Sequence, residues 1–367
     1  MTGFGGRSLP RGYSRLRMPG GTTLLVHRRS AIIAAALLLV ALAVAAIEIA
    51  TGDYTITPAG ALNALVGGGS DLDRFIVVDQ RLPRAAAALL VGAALGASGA
   101  IFQSVSHNPL GSPDIIGFTT GAATGGLTVI LLVGASTATT ILVGTLVGGF
   151  ATAAVVIALA LRRGATGDRL VLSGIAVAAM LAATNDYLVS RADIENAEVA
   201  KAWQYGSLNA ISWPPLLPLA VVLMLALPAA LLASRSLRIL ELGDDTAAAV
   251  GVQVVRARTV ALALGVCLAA IAVATAGPIG FLALAAPQLA RRIARSPGVT
   301  VLASAAMGAA LLVSADLLAQ RLLSPFQIPV GLVTAAIGGA YLVWMLTLAP
   351  AVGSRPSRAG RPEIRAK

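Results

Sequence analysis

Arg81 and Arg84 stand three residues apart in RLPRAAAALLVGAALGASG, residues 81–99, and no other charge follows in that stretch. A guanidinium is a planar fork that can donate two parallel hydrogen bonds to a carboxylate or phosphate. The chemistry open to this pair is therefore ionic recognition, either of lipid headgroups or of acidic side chains on a protein. Asn108 lies in VSHNPLGSP (105–113), where it offers both a donor and acceptors, and where Pro109 and Pro113 stop a continuous helix and force a rigid turn. DDTAAAVGV (244–252) has the pattern of a short helix: Asp244 or Asp245 caps it, Ala247, Ala248 and Ala249 propagate it, and Gly251 ends it. Such a helix is either an ordinary interfacial turn or a docking knob for a soluble partner.

Much chemistry is excluded. One cysteine, Cys267, allows neither an intramolecular disulfide nor a cysteine-cluster metal site, and the two histidines, His27 and His107, are far apart in sequence. No G-x-x-x-x-G-K-[ST] loop occurs. The only lysines are Lys201 and Lys367, neither after a glycine, so a phosphate loop of that kind cannot form. The apolar segments hold no histidine and no Cys–His or carboxylate pair, which argues against an intramembrane enzyme. Glu48, Asp186 and Asp316 all fall near the ends of their segments rather than at mid-depth. A stand-alone secondary carrier usually needs ionisable or unwound sites near the midplane. The chain reads as a conduit driven by something else, with no cofactor of its own.

The elements that must position these residues are membrane helices. Of 367 residues, 57% are hydrophobic and 12% charged. Apolar runs of near 20 residues recur along the whole length, and they do not alternate as barrel strands would. Ten spans are expected: 31–50, 82–104, 114–134, 138–161, 169–189, 214–233, 255–275, 279–294, 299–319 and 329–349. The first follows a basic tail and is long for a signal peptide, so it reads as a retained helix. With a cytoplasmic N-terminus, the segments 1–30, 105–113, 162–169, 234–258, 291–298 and 350–367 are internal and carry 21 of the 27 Lys+Arg. That asymmetry follows the positive-inside rule. It makes the +11 net charge topological, and no nucleic-acid partner is expected. The expected organisation is a cytoplasmic basic tail (1–30), a transmembrane domain (31–349) with a cytoplasmic segment at 234–258, and a cytoplasmic tail (350–367).

Gly92 with Gly96 and Gly144 with Gly148 form GxxxG pairs, which let helix backbones approach closely. GAIFQSVSHNP (99–109) and GPIGFLALAAP (277–287) share a Gly-x-Ile start and a closing proline, a faint internal echo.

Taken together, RLPRAAAALLVGAALGASGAIFQSVSHNPLGSPDIIGFTTGAATG (81–125), WQYGSL (203–208), LELGDDTAAAVGVQVVRAR (240–258), GPIGFLALAAPQLARRI (277–293) and PVGLVTAAIGGAYLVWML (329–346) resemble the FecCD-type permeases. These are the membrane subunits of bacterial ABC importers for ferric siderophores, haem and cobalamin. The resemblance spans nearly the whole chain and implies an all-α, ten-helix, type II ABC importer permease fold in the bacterial cytoplasmic membrane, with both termini cytoplasmic. It implies a second permease subunit, identical or paralogous, two ATPase subunits that use the ATP, an extracytoplasmic binding protein and a metal-chelate cargo. Ferric siderophore is the first choice of cargo, with haem or cobalamin as alternatives.

The same resemblance gives Arg81 and Arg84 a docking role toward the binding protein. A third outer arginine is common in the family four residues after the position of Asp316. Gln320 stands there in this chain, and Arg321 follows as the replacement candidate. Asn108 and Leu110, with Thr166 and Gly167, match a cytoplasmic gate. Gly243, Asp244, Asp245, Ala248 and Gly251 match the helix that couples to the ATPase. Pro287-Gln288 replaces the family's frequent Pro-His.

Overall fold

The computed structural model describes residues 13–17, 23–134, 137–161, 167–209, 211–296, 298, 300–324 and 326–348. Two short antiparallel strands open it, β1 (Tyr13–Arg17) and β2 (Thr23–His27), paired from Tyr13↔His27 to Arg17↔Thr23. The otherwise all-helical expectation did not include this hairpin. Its second strand runs directly into α1 (Arg28–Ala50), where the His27 side chain accepts the N–H of Ser30 as an N-cap.

Two short helices follow, α2 (Pro58–Leu65) and α3 (Asp71–Arg74). A π-helical turn (Phe75–Arg81) then leads into α4 (Leu82–Ser106). After a turn come α5 (Phe118–Thr128), α6 (Ala138–Leu161), α7 (Gly167–Arg191) and the short α8 (Ile194–Gln204). The chain closes with α9 (Trp213–Leu240), α10 (Asp244–Ala249), α11 (Val254–Ala276), α12 (Leu282–Ala294), α13 (Val301–Arg321) and α14 (Val330–Leu348).

Each of the ten expected spans falls mainly on one of these helices. Among the described residues, seven helical stretches are long and apolar enough to cross a membrane; Phe118–Val133 and Val330–Trp344 are shorter apolar segments. Two span starts move, the eighth from 279 to Leu282. The third span was expected from residue 114, but 112–117 is a turn, closed by Ile116 N–H to Ser112 O and Phe118 N–H to Pro113 O. Gly117, at φ 85, then starts α5.

Helix α4 is the axis of the bundle, with nearly every position from Ala94 to Ser106 buried. It packs against α13, α11, α9 and α12. Lipid supplies no hydrophobic drive between helices, so close contact of small residues has to hold them together. A Cβ placed on Gly92 would lie 2.4 Å from the carbonyl oxygen of Gly308, and one on Gly96 would lie 2.1 Å from that of Ser304. The second GxxxG works likewise: a Cβ on Gly148 would lie 2.3 Å from the Gly121 carbonyl oxygen, joining α6 to α5. Both glycine pairs thus mark helix crossings.

The two ends of the bundle are distinguishable. At one end the Trp213 indole N–H donates to the carbonyl of Val78, so α9 begins where α4 begins. At the other, the His107 ring Nε2 meets the carbonyl of Leu240 at 2.6 Å, so both helices also end together. A 25-residue helix is about 37 Å long. Arg81 and Arg84 therefore lie at one end, the rim, and α10 lies at the opposite end.

Candidate functional site

Three features carry the site: a polar cluster at the rim, an exposed helix at the far end, and the turn between α4 and α5.

The inward stripe of α1 is Ala34, Ala41, Ala45 and Glu48, a helical spacing that carries Glu48 into the bundle at the rim end, where it is 2% exposed. Asp316 is fully buried on α13. Arg84 reaches both. Its Nε and Nη2 donate to Asp316 Oδ2 and Oδ1 at 2.7 and 3.0 Å, and its Nη1 donates to Gln327 Oε1 at 2.8 Å. Glu48 Oε1 lies 3.9 Å from Arg84 Nε. Gln320 Nε2 bridges the two acids, donating to Glu48 Oε1 at 2.9 Å and to Asp316 Oδ2 at 3.0 Å. Glu48 Oε2 has no hydrogen-bond partner. The position of the family's third arginine thus holds a neutral bridge between two buried carboxylates.

Arg81 is also engaged. Its Nη1 donates to the Ile49 carbonyl at 3.0 Å, and its Nη2 donates to the Tyr54 carbonyl, so it satisfies backbone groups at and beyond the end of α1. Arg81, Arg84 and Arg321 line one rim cavity of about 230 Å³, together with Asp53, Gln80 and Gln327. Arg321 is exposed. The structure therefore brings the three sequence-selected arginines together, but with Arg84 bound on two edges.

At the opposite end, α10 has Gly243 at its N-cap position, with φ 102, and no side-chain cap. This corrects the expected aspartate cap. Asp244 and Asp245 instead occupy the first turn, where negative charge favours the helix dipole, and Asp244 Oδ1 accepts from Arg258 Nη2 at 2.9 Å. The end is as expected: Gly251 at φ 86 donates to Ala248 O, and Val252 donates to Ala247 O. Ala247 is fully buried against the bundle, while Ala248, Ala249 and Val250 are exposed. The helix is a small apolar knob standing off the surface.

In the α4–α5 turn, His107 adopts φ 53 and Asn108 Oδ1 accepts the Leu110 N–H at 2.9 Å, a side-chain-closed turn. Leu110 is 41% exposed. Gln288 Nε2, on α12, donates to the Pro109 carbonyl at 2.8 Å, so the Pro287-Gln288 pair clips α12 to this turn. Tyr341 of α14 donates its hydroxyl to Gln288 Oε1 at 3.3 Å. Of the other residues expected at a gate, Gly167 begins α7, and Thr166 lies outside the described residues.

The interruption expected between the spans 255–275 and 279–294 is present and reaches further than expected, to the start of α12 at Leu282. Between α11 and α12 the backbone unwinds from Gly277 (φ 72) to Phe281 (φ 63). The motif WQYGSL packs on it: Ser207 N–H donates to the Ala276 carbonyl at 2.8 Å, and Gly331 N–H donates to the Gly206 carbonyl at 2.9 Å. Gly-Pro-Ile-Gly at 277–280 was its only sequence signal.

A polytopic α-helical bundle with a basic cavity at one end and an exposed helical knob at the other has the layout of a transport permease. The model of the FecCD transport family matches residues 35–347, and the chain belongs to that family. It is 46% identical over 296 residues to the ferric enterobactin transport system permease protein FepG of Escherichia coli, covering 81% of this chain and 89% of that protein. It is 35% identical over 276 residues to the hemin transport system permease protein HmuU of Yersinia pestis, covering 74% of this chain and 83% of that one. Among solved structures, an inward-facing metal-chelate type ABC transporter superposes with a TM-score of 0.76 at 29% identity, covering 86% of this chain and 98% of that chain.

Proposed function

We propose that this permease imports a ferric siderophore, receives it from an extracytoplasmic binding protein at the rim, and is driven by two ATPase subunits that grip α10. The observation that carries this reading is the separation of the basic rim cavity and the apolar knob to opposite ends of α4 and α9. A conduit powered from the far side needs that separation. The cargo follows from the relatives, among which an enterobactin permease shares 46% of the aligned residues.

In this reading Arg81, Arg84 and Arg321 form the docking rim, which faces outward while both termini face the cytoplasm. Gly243, Asp244, Asp245, Ala248 and Gly251 form the coupling knob. Asn108 and Leu110, with Thr166 and Gly167, close the pathway inside, opposite the same residues of a second permease subunit. Nucleotide-driven movement of α10 shifts the bundle between outward- and inward-open states. It can do so only because the partners bind the two states with different affinity. Uptake of ferric enterobactin into proteoliposomes containing permease pair, ATPases and binding protein tests the reading. It requires transport that stops without ATP or without the binding protein. Uptake by the permease alone would point instead to a secondary carrier.

A further inference from the structure

A second cavity, of about 560 Å³, opens at the knob end. Its walls include Gln103, Asn108, Glu241, Gln288, Arg291 and Arg292. Gln103 is held by α12: its Nε2 donates to the Leu284 carbonyl across the helix interface, at 3.0 Å. That fixes the Gln103 carboxamide. The residue is 3% exposed, and among the described residues its enclosed Oε1 has no hydrogen-bond partner.

The remaining walls supply the opposite chemistry. The guanidinium of Arg292 lies 5.5 Å from the Trp344 ring centroid, held by a cation–π contact. Arg291 lies beside it in sequence and lines the same cavity. Glu241 supplies one carboxylate against these two cations. Asn108, whose Oδ1 is occupied by the Leu110 N–H, also lines the cavity. Two arginines against one carboxylate, in a wall otherwise polar with Gln103, Asn108 and Gln288, suit an anionic, oxygen-rich molecule.

We propose that this cavity is an exit-side binding site for the anionic metal chelate, the last hold before release. The proposal rests on the cargo class stated above. It makes Arg291 and Arg292 the ligands of the chelate's negative oxygens.

The test uses the complete complex of permease pair and ATPases in nanodiscs, without binding protein. Equilibrium binding of radio-iron-labelled ferric enterobactin and ferric dicitrate, both anionic, is compared with that of a neutral ferric trihydroxamate. The expected result is binding of the anionic chelates over the neutral one. It weakens at least about tenfold in R291Q/R292Q, stays within about threefold in R291K/R292K, and is unchanged in R191Q, which removes a cation that does not line this cavity. Equal binding by wild type and R291Q/R292Q overturns the proposal, as does no binding of either anionic chelate to the wild type. Loss of the ATPase subunits from R291Q/R292Q also overturns it, since the arginines would then serve that interface. Wild-type uptake in proteoliposomes is measured in parallel. Failure there with retained, arginine-dependent binding would contradict the ferric enterobactin assignment and leave the exit site standing.

Discussion

Arg84 and Asp316, 232 residues apart in sequence, form a two-bonded ion pair at 2.7 and 3.0 Å, with Asp316 fully buried. The pair joins α4 to α13, and Glu48 and Gln320 extend it to α1. Three helices are thereby fastened at the end of the molecule that a partner would first meet.

Removing one member of a buried pair strands the other, at a cost of about 3–5 kcal/mol. R84Q leaves both Glu48 and Asp316 without their cation. Purified R84Q is expected to unfold at a markedly lower temperature than wild type. The neutral triple variant E48Q/R84Q/D316N should recover most of the loss. A melting curve for R84Q that overlays the wild type would refute the clasp.

Arg321 can be tested for docking without disturbing that clasp, because it is exposed. R321E is expected to keep the wild-type melting temperature and to weaken binding-protein affinity at least about tenfold, measured by surface plasmon resonance on nanodiscs. Unchanged affinity would remove Arg321 from the docking surface.

The knob is addressed at Ala248, which is exposed on α10 beside buried Ala247. A248W is expected to leave the permease monodisperse in gel filtration and to abolish co-purification of the ATPase. An intact four-subunit complex would contradict the coupling role.

Packing at the α4–α13 crossing is equally exposed to test. A Cβ on Gly308 would lie 2.1 Å from the Gly92 carbonyl oxygen, a backbone atom that cannot swing aside. G308V is expected to cost about 1–3 kcal/mol or more, read as lower melting temperature and yield. G339V serves as control, because nothing lies within 4 Å of a Cβ there.

The helical skeleton was legible because lipid imposes long apolar runs, and all ten expected spans fall mainly on helices. The GxxxG pairs were legible for the same reason, since close approach has few sequence solutions. What stayed hidden depends on contacts between distant residues. Glu48 and Asp316 looked like isolated acids near span ends; their shared partners, Arg84 and Gln320, come from other helices or another turn, and the Gln320–Glu48 bond links residues 272 apart. The Asp244 cap failed because Gly243 turns the chain by itself and Arg258 claims the carboxylate. The boundary after α11 was legible at Gly277-Pro278, but its extension to Phe281 was masked by the apolar residues that follow. Arg81 and Arg84 stood out by type and spacing and Arg321 only through the family resemblance, but their hydrogen bonds could not be read from sequence.

The most direct measurement is side-specific labelling. In a background with Cys267 replaced by serine, single cysteines at Arg321 and Ala248 are exposed to a membrane-impermeant maleimide in sealed right-side-out vesicles. Labelling of the residue 321 thiol from outside, and of the residue 248 thiol only after permeabilisation, is the predicted result. Reaction of both from the same side would contradict a conduit loaded at one end and driven from the other.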